Sequence, residues 1–314
     1  MKKNLHFSQD YFVSKLGIVM LCFLMAMLLP FQVLFGQEVA TNNTYPWSNE
    51  VSNNQEVIGL RSRTAKHYLL NEGRYKAYFS VSSIHYKEGF EWKEIKNDIE
   101  PSSTLEGYYQ NTTNSFKSYY PKQLDKNAIK TIVNGAEITE EFNGVYFINA
   151  NKTLLKQVEL GFGNERVDAN SINYQTNING LSQKYSQLSD GRKSDLILEN
   201  PSLLKLAPAQ TKYIAIKDII EFPTGWVVKL ENNNVNLYDA QGVWRANYQA
   251  PVAYQEAIKT EGDMSEGLIT FAPLSSNKIA LTTLFNYAWL TDKNRVYPLH
   301  LDPTVTFNPF NVAM

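Results

Sequence analysis

Apolar and polar residues alternate in short runs along most of this chain, and turn-forming residues interrupt them roughly every 8–15 positions. A two-residue period places successive side chains on opposite faces of a strand, so the pattern predicts strands joined by tight turns. His67 to Leu70 and Arg74 to Phe79 flank Asn71-Glu72-Gly73 and predict a hairpin. Ser82 to Lys87 and Phe90 to Ile95 flank Glu88-Gly89 and predict a second, with a bulge or twist near Glu94. Ile129 to Val133 and Ala136 to Thr139 enclose Asn134-Gly135, the strongest short-range hairpin signal. Further strands are expected at 115–121, 145–148, 158–162, 172–174 and 194–198.

Later in the chain, Tyr213 to Glu221, the turn Pro223-Thr224-Gly225 and Trp226 to Leu230 predict another hairpin. Val235 to Tyr238 and Val243 to Ala246 predict one more, and Leu268 to Phe271 and Ile279 to Phe285 read as strands. Val252 to Lys259 fits a short helix, and Trp289-Leu290 a single helical turn or a bulge. Tyr297 to Thr306 closes the series: Tyr297, Leu299 and Leu301 share one face, Pro298, His300 and Asp302 the other, and Pro303 ends the ladder. The expected fold is all-β, antiparallel sandwiches built from consecutive hairpins. A boundary near Pro201 to Ala209 divides it into units at 61–205 and 206–306, with one large sandwich as the competing arrangement and 307–314 as the start of a linker to further domains.

The N-terminus breaks this pattern. Lys2, Lys3 and Lys15 precede an apolar run from Leu16 to Phe35, and Gly36 offers a small-residue cleavage position, so residues 1–36 read as an export signal. An uncleaved anchor is the alternative, since about 20 apolar residues span a bilayer. Residues 37–60 are polar and Asn-rich, a flexible leader. The single cysteine, Cys22, lies in the apolar run, so the mature chain has no thiol for a disulfide, a nucleophile or a metal. Location is expected at the cell surface, in the medium or in the periplasm.

Charge narrows the partners. With 30 basic and 31 acidic side chains the chain lacks the basic excess that nucleic acid or an anionic membrane surface requires, leaving membrane contact only through an uncleaved signal segment.

Four motifs fall in the order seen in one family. Ile84-His85-Tyr86-Lys87, a glycine turn, Trp92 and Ile95-Lys96-Asn97-Asp98-Ile99 come first; Ser194-Asp195-Leu196-Ile197-Leu198, then Asp239-Ala240-Gln241-Gly242 with Pro251, then Trp289-Leu290, Tyr297-Pro298 and Leu301-Asp302-Pro303-Thr304-Val305 follow. Together they resemble the N-terminal β-rich module of large bacterial surface proteins of the wall-associated protein A, Rhs (YD-repeat) and DNRLRE-domain type. Leu299 and His300 stand where that family often has Val and Thr. The resemblance, over 61–306, implies a non-catalytic module that supports or presents downstream domains of the same polypeptide. A carbohydrate- or protein-binding adhesin module is the alternative, and a glycoside hydrolase a distant third.

Candidate chemistry is sparse, and no catalytic, cofactor-binding or metal residue is assigned and no cofactor expected. His67, His85 and His300 lie in strand patterns without metal-ligand spacing. Glu140-Glu141, Asp218 with Glu221, and Glu261 with Asp263 are the carboxylate pairs a glycosidase reading must choose from. Asp190 to Asp195 holds oxygen ligands but not the spacing of a calcium loop. Trp92, Trp226, Trp244 and Trp289 are read as core and Trp47 as part of the leader, with a sugar-stacking platform as the functional alternative. His300 and Asp302 suggest a site, but nothing upstream in sequence supplies partners for them.

Overall fold

A computed structural model describes residues 55–70, 73–257 and 260–309. The expected export signal, Cys22 and Trp47 lie outside the described residues.

The chain begins with a small sheet: β1 (Gln55–Glu56), β2 (Ala65–Leu69) and β3 (Tyr75–Phe79), in that order, followed by the separate hairpin β4 (His85–Glu88) and β5 (Glu91–Glu94). Gly73, at φ 73°, takes the left-handed position of the first turn. The expected leader therefore stops short of residue 60, because Gln55 and Glu56 pair with Leu69 and Tyr68. The second hairpin runs from His85↔Glu94 to Glu88↔Glu91 in unbroken register, which leaves no bulge within this ladder.

Next come β6 (Glu100–Pro101), β7 (Tyr108–Asn111), β8 (Phe116–Pro121), β9 (Ile129–Val133), β10 (Ala136–Ile148) and β11 (Leu154–Val158). Asn134 (φ 51°) and Gly135 (φ 79°) form the tight turn that the Asn-Gly pair demands. The strand expected at 145–148 is the far half of β10, which continues past a register shift between Phe142 and Gly144.

The chain then builds a second sheet with β12 (Phe162–Asp168), β13 (Ser171–Thr176), β14 (Leu181–Gln187) and β15 (Gly191–Leu198). It returns to the first with β16 (Tyr213–Glu221), and crosses again for β17 (Val227–Glu231), β18 (Asn234–Tyr238), β19 (Trp244–Tyr248), β20 (Val252–Gln255) and β21 (Met264–Glu266). β22 (Leu268–Ser275) and β23 (Lys278–Asn286) join the first sheet, the one-turn helix α1 (Tyr287–Leu290) follows, and β24 (Leu299–Asp302) and β25 (Val305–Phe307) finish in the second.

Among the described residues, two large antiparallel sheets result beside the small N-terminal sheet and hairpin, one of nine strands and one of eleven. Their facing side chains form three apolar clusters. Phe147, Ile216 and Phe285 from the first sheet meet Leu196, Leu198 and Leu301 from the second. Phe116, Ile220 and Leu281 meet Val235, Tyr248 and Phe307. Tyr120 and Ile129 meet Tyr174 and Tyr185. The fold is an all-β sandwich.

Four expectations change. The boundary at 205/206 does not separate two sandwiches: β16 pairs with β10 along nine positions, and β25 lies between β15 and β19, so each sheet draws on both halves of the chain. Pro223-Thr224-Gly225 is a crossing between sheets and not a hairpin turn, since β16 pairs with β10 and β23 while β17 pairs with β18. Of the helix expected at 252–259, residues 252–255 form strand β20, whose backbone is claimed on both sides by β21 and β24, and 258–259 lie outside the described residues; tertiary pairing overrides a weak local preference. At the far end, Phe307 and Asn308 are buried at 4% and 1% exposure, so the packed structure extends into the expected linker.

Candidate functional site

Strand β15 organises the polar chemistry of the molecule. Leu196 and Leu198 point into the space between the sheets, and the two-residue period sends Ser194 and Arg192 the same way. Lys193 and Asp195 point to the outer face. Each side carries its own cluster.

The inner cluster centres on Arg192, which has no exposed surface. Its Nη1 donates to Thr131 Oγ1 at 2.9 Å and its Nη2 to Glu140. Glu140 on β10, Asp218 on β16, Ser194, Tyr185 on β14 and Tyr248 on β19 line a cavity of about 20 Å³ with Arg192. Gln183 donates to Ser194 Oγ at 2.9 Å, and Tyr120 donates to Gln187 at 2.7 Å, which ties the layer to its flanks. Burial pushes the Asp218 carboxyl up to about 8; the Glu140 charge adds to the rise, and Arg192 opposes it. Burial also drives the Tyr185 and Tyr248 hydroxyls well above the usual tyrosine range.

The outer cluster joins Lys193, Asp195, Tyr254, His300 and Asp302 from β15, β20 and β24. Lys193 Nζ lies 3.3 Å from Asp195 Oδ2 and 3.5 Å from Asp302 Oδ2, and donates to the Tyr254 hydroxyl. Tyr254 in turn donates to Asp195 Oδ1 at 3.2 Å, and its ring stacks on His300 at 4.7 Å with planes 4° apart. His300 Nδ1 lies 3.7 Å from Asp195 Oδ1. Burial opposes ionisation of Asp195, yet His300 and Lys193 beside it hold its pKa low. Asp302, accepting from Thr304 Oγ1 at 2.8 Å, is pushed up to about 7 by burial and by the Asp195 charge. Burial works against the Lys193 ammonium, but the two carboxylates outweigh it and raise its pKa.

His300 and Asp302 therefore do have upstream partners, contrary to expectation: Lys193 and Asp195, more than 100 positions earlier, reach them because β15 pairs with β24. The other candidates separate. Glu141 is exposed while Glu140 faces inward, as adjacent strand residues must be. Glu221 forms a surface pair with Lys278 at 2.8 Å. Asp263 closes a capping box with Thr260 and accepts from Gln255 at 2.7 Å, while Glu261 is exposed. Asp190 Oδ2 accepts from the Ser83 amide at 3.4 Å while Asp195 belongs to the outer face, and among the described residues no group of three acidic, His or Cys side chains is placed to hold a metal.

His85 is buried at 1% exposure with Nδ1 2.6 Å from the Ser62 carbonyl, and burial lowers its pKa. His67 packs edge-on to Phe79 at 6.4 Å. Trp92, Trp226, Trp244 and Trp289 are half-buried rather than central. Trp289 packs on the first apolar cluster, donates to the Gly262 carbonyl at 3.1 Å and carries Arg295 over its ring at 4.4 Å; Trp226 packs on the second cluster.

Reasoning from proximity in sequence missed the pairing of Glu140 with Asp218, which lie on neighbouring strands with Phe142 opposite Asp218. One signal for it was present. Both carboxylates occupy apolar beats, in Ile138-x-Glu140-x-Phe142 and in Ile216-x-Asp218-x-Ile220, and Arg192 precedes Leu196 and Leu198 at the same spacing.

The sequence matches no protein-family model, and comparison with curated proteins and with solved structures returns no match.

Proposed function

We propose that the chain is a non-catalytic, exported β-sandwich module that supports or presents downstream domains of a bacterial cell-surface or secreted protein. The observation that carries this reading is the placement of the final strands. β24 lies between β15 and β20, and β25 between β15 and β19, so together they join the two halves of the eleven-stranded sheet. A load applied beyond Phe307 meets this sheet near its middle rather than at a free edge. The order of the four motifs and the N-terminal apolar run support the same reading. The test is a fusion of the chain to a reporter, followed by measurement of surface display or secretion in a bacterial host. Intact display is expected with the full chain, and loss of display on deleting 297–309. Equal display with and without that segment overturns the role.

A binding module is the second reading, favoured by one surface. On the small sheet Leu69 pairs with Tyr75 and Ala65 with Phe79, and Tyr75 and Phe79 remain 57% and 74% exposed, an aromatic face of the kind that stacks on sugars or receives a protein partner. Retention on a polysaccharide panel, abolished by Phe79→Ser with Tyr75→Ser, is the outcome that places this reading first.

A further inference from the structure

The centre of the sandwich contains donors that its protein contacts do not use. Arg192 gives both terminal nitrogens to Thr131 and Glu140, and its Nε–H, fully enclosed, meets no protein acceptor among the described residues. The Tyr248 hydroxyl, on a residue 4% exposed, lies against Glu140 but makes no hydrogen bond of good geometry among the described residues. Both residues line the same cavity of about 20 Å³, and its other polar walls include the carboxyl groups of Glu140 and Asp218. Buried donors without partners are rare because each forfeits its hydration. A water needs roughly 10–15 Å³ of space and two to four polar partners. This cavity meets both conditions and is too small for a sugar or any organic substrate.

We propose that the cavity binds a single ordered water, accepting from Arg192 Nε–H and Tyr248 O–H and donating to Glu140 and Asp218, with Asp218 held as the neutral acid. The charge balance points the same way. From every element facing the cavity the ionisable groups are Glu140 (β10), Asp218 (β16), Tyr185 (β14), Tyr248 (β19) and Arg192 (β15), while β23 contributes Leu281 and the β24–β25 link Pro303. One guanidinium neutralises one carboxylate, and a second negative charge in the same enclosure is strongly disfavoured. Arg192 is bonded to Glu140, so the proton belongs to Asp218. The upward shift of its carboxyl, to about 8, is consistent with this assignment.

Two measurements test it. A crystal structure at a resolution that shows ordered solvent is expected to place one peak within hydrogen-bond reach of Arg192 Nε and Tyr248 OH. Absence of a peak there, or a protein acceptor on Nε, overturns the water site. Infrared difference spectra of the unmodified protein between about pH 6 and pH 10 are expected to show loss of a protonated-carboxyl band, with a midpoint near 8. Asp218→Asn is expected to remove that band while leaving the far-ultraviolet strand signal intact. Absence of the band at about pH 6 in the unmodified protein, or its persistence in a folded Asp218→Asn variant, overturns the protonation assignment.

Discussion

Arg192 and Lys193 are neighbours in the chain, yet they belong to polar clusters on opposite faces of one sheet: Arg192 pairs with Glu140 between the sheets, and Lys193 with Asp195 and Asp302 on the outside. Strand geometry alone enforces the separation, because successive side chains point in opposite directions. Each cluster ties β15 to a different part of the fold, and each gives a distinct prediction.

Removing one member of the inner pair strands the other. Arg192→Met is expected to destabilise the fold by about 3–5 kcal/mol, since it leaves the Glu140 carboxylate enclosed without its partner. The double variant Arg192→Met with Glu140→Leu is expected to recover most of that loss, because a well-packed apolar pair needs no desolvation of charge. Urea unfolding midpoints of the two variants decide the matter; a double variant no more stable than the single one contradicts it.

Asp218 sets an alkaline limit. Its folded pKa of about 8 lies above its unfolded value near 4, so the folded state binds the proton more tightly. The stabilisation is fully present below the unfolded pKa and is lost as pH rises through the folded one. Stability is therefore expected to fall between about pH 4 and pH 8, by on the order of a few kcal/mol from this group. Asp218→Asn is expected to flatten that slope and to be the more stable protein at about pH 8. A slope unchanged by the substitution contradicts the assignment.

The outer cluster depends on Lys193. Without its ammonium, Asp195 and Asp302 face each other across β15 and β24 and lose the cation that bridges their carboxylates. Asp302, with its folded pKa raised to about 7, already favours the neutral form at lower pH. Lys193→Met is accordingly expected to cost more stability at about pH 8 than at about pH 5, where Asp302 is protonated. Thermal unfolding at the two pH values reads the difference, and an equal cost at both contradicts the prediction.

Gly191 marks a close approach of β15 to the final strand. A Cβ at this position would meet the Val305 carbonyl oxygen at 2.2 Å and Thr306 Cα at 2.9 Å, both backbone atoms that cannot rotate away. Gly191→Ala is expected to destabilise the fold by at least about 2 kcal/mol by pushing β25 off its ladder. Amide exchange is the matching probe: Val305 and Thr306, which pair with Arg192 and Gly191, should lose protection before the small N-terminal sheet does.

The sequence alone determined the local structure of this protein. The alternation of apolar residues, the Asn134-Gly135 turn and the prolines that stop strands specify an all-β chain, because two-residue periodicity and turn geometry are properties of a few adjacent residues. It also marked the inward-facing polar positions, since Glu140, Asp218 and Arg192 interrupt otherwise apolar beats. Tertiary structure decided which strands share a sheet. β16 and β17 are separated by a turn that would suit a hairpin, yet they lie in different sheets, and residues 252–255 are extended because two partners claim their backbone. The two polar clusters arise at the same level. Lys193 meets Asp302, and Arg192 meets Glu140, through pairings and sheet packing that span 50 to more than 100 residues, and no local pattern encodes contacts of that range. Only the closing of β24 and β25 into the middle of the sheet brings His300 and Asp302 to their partners, because strand register is set by the whole buried face and not by the strand itself.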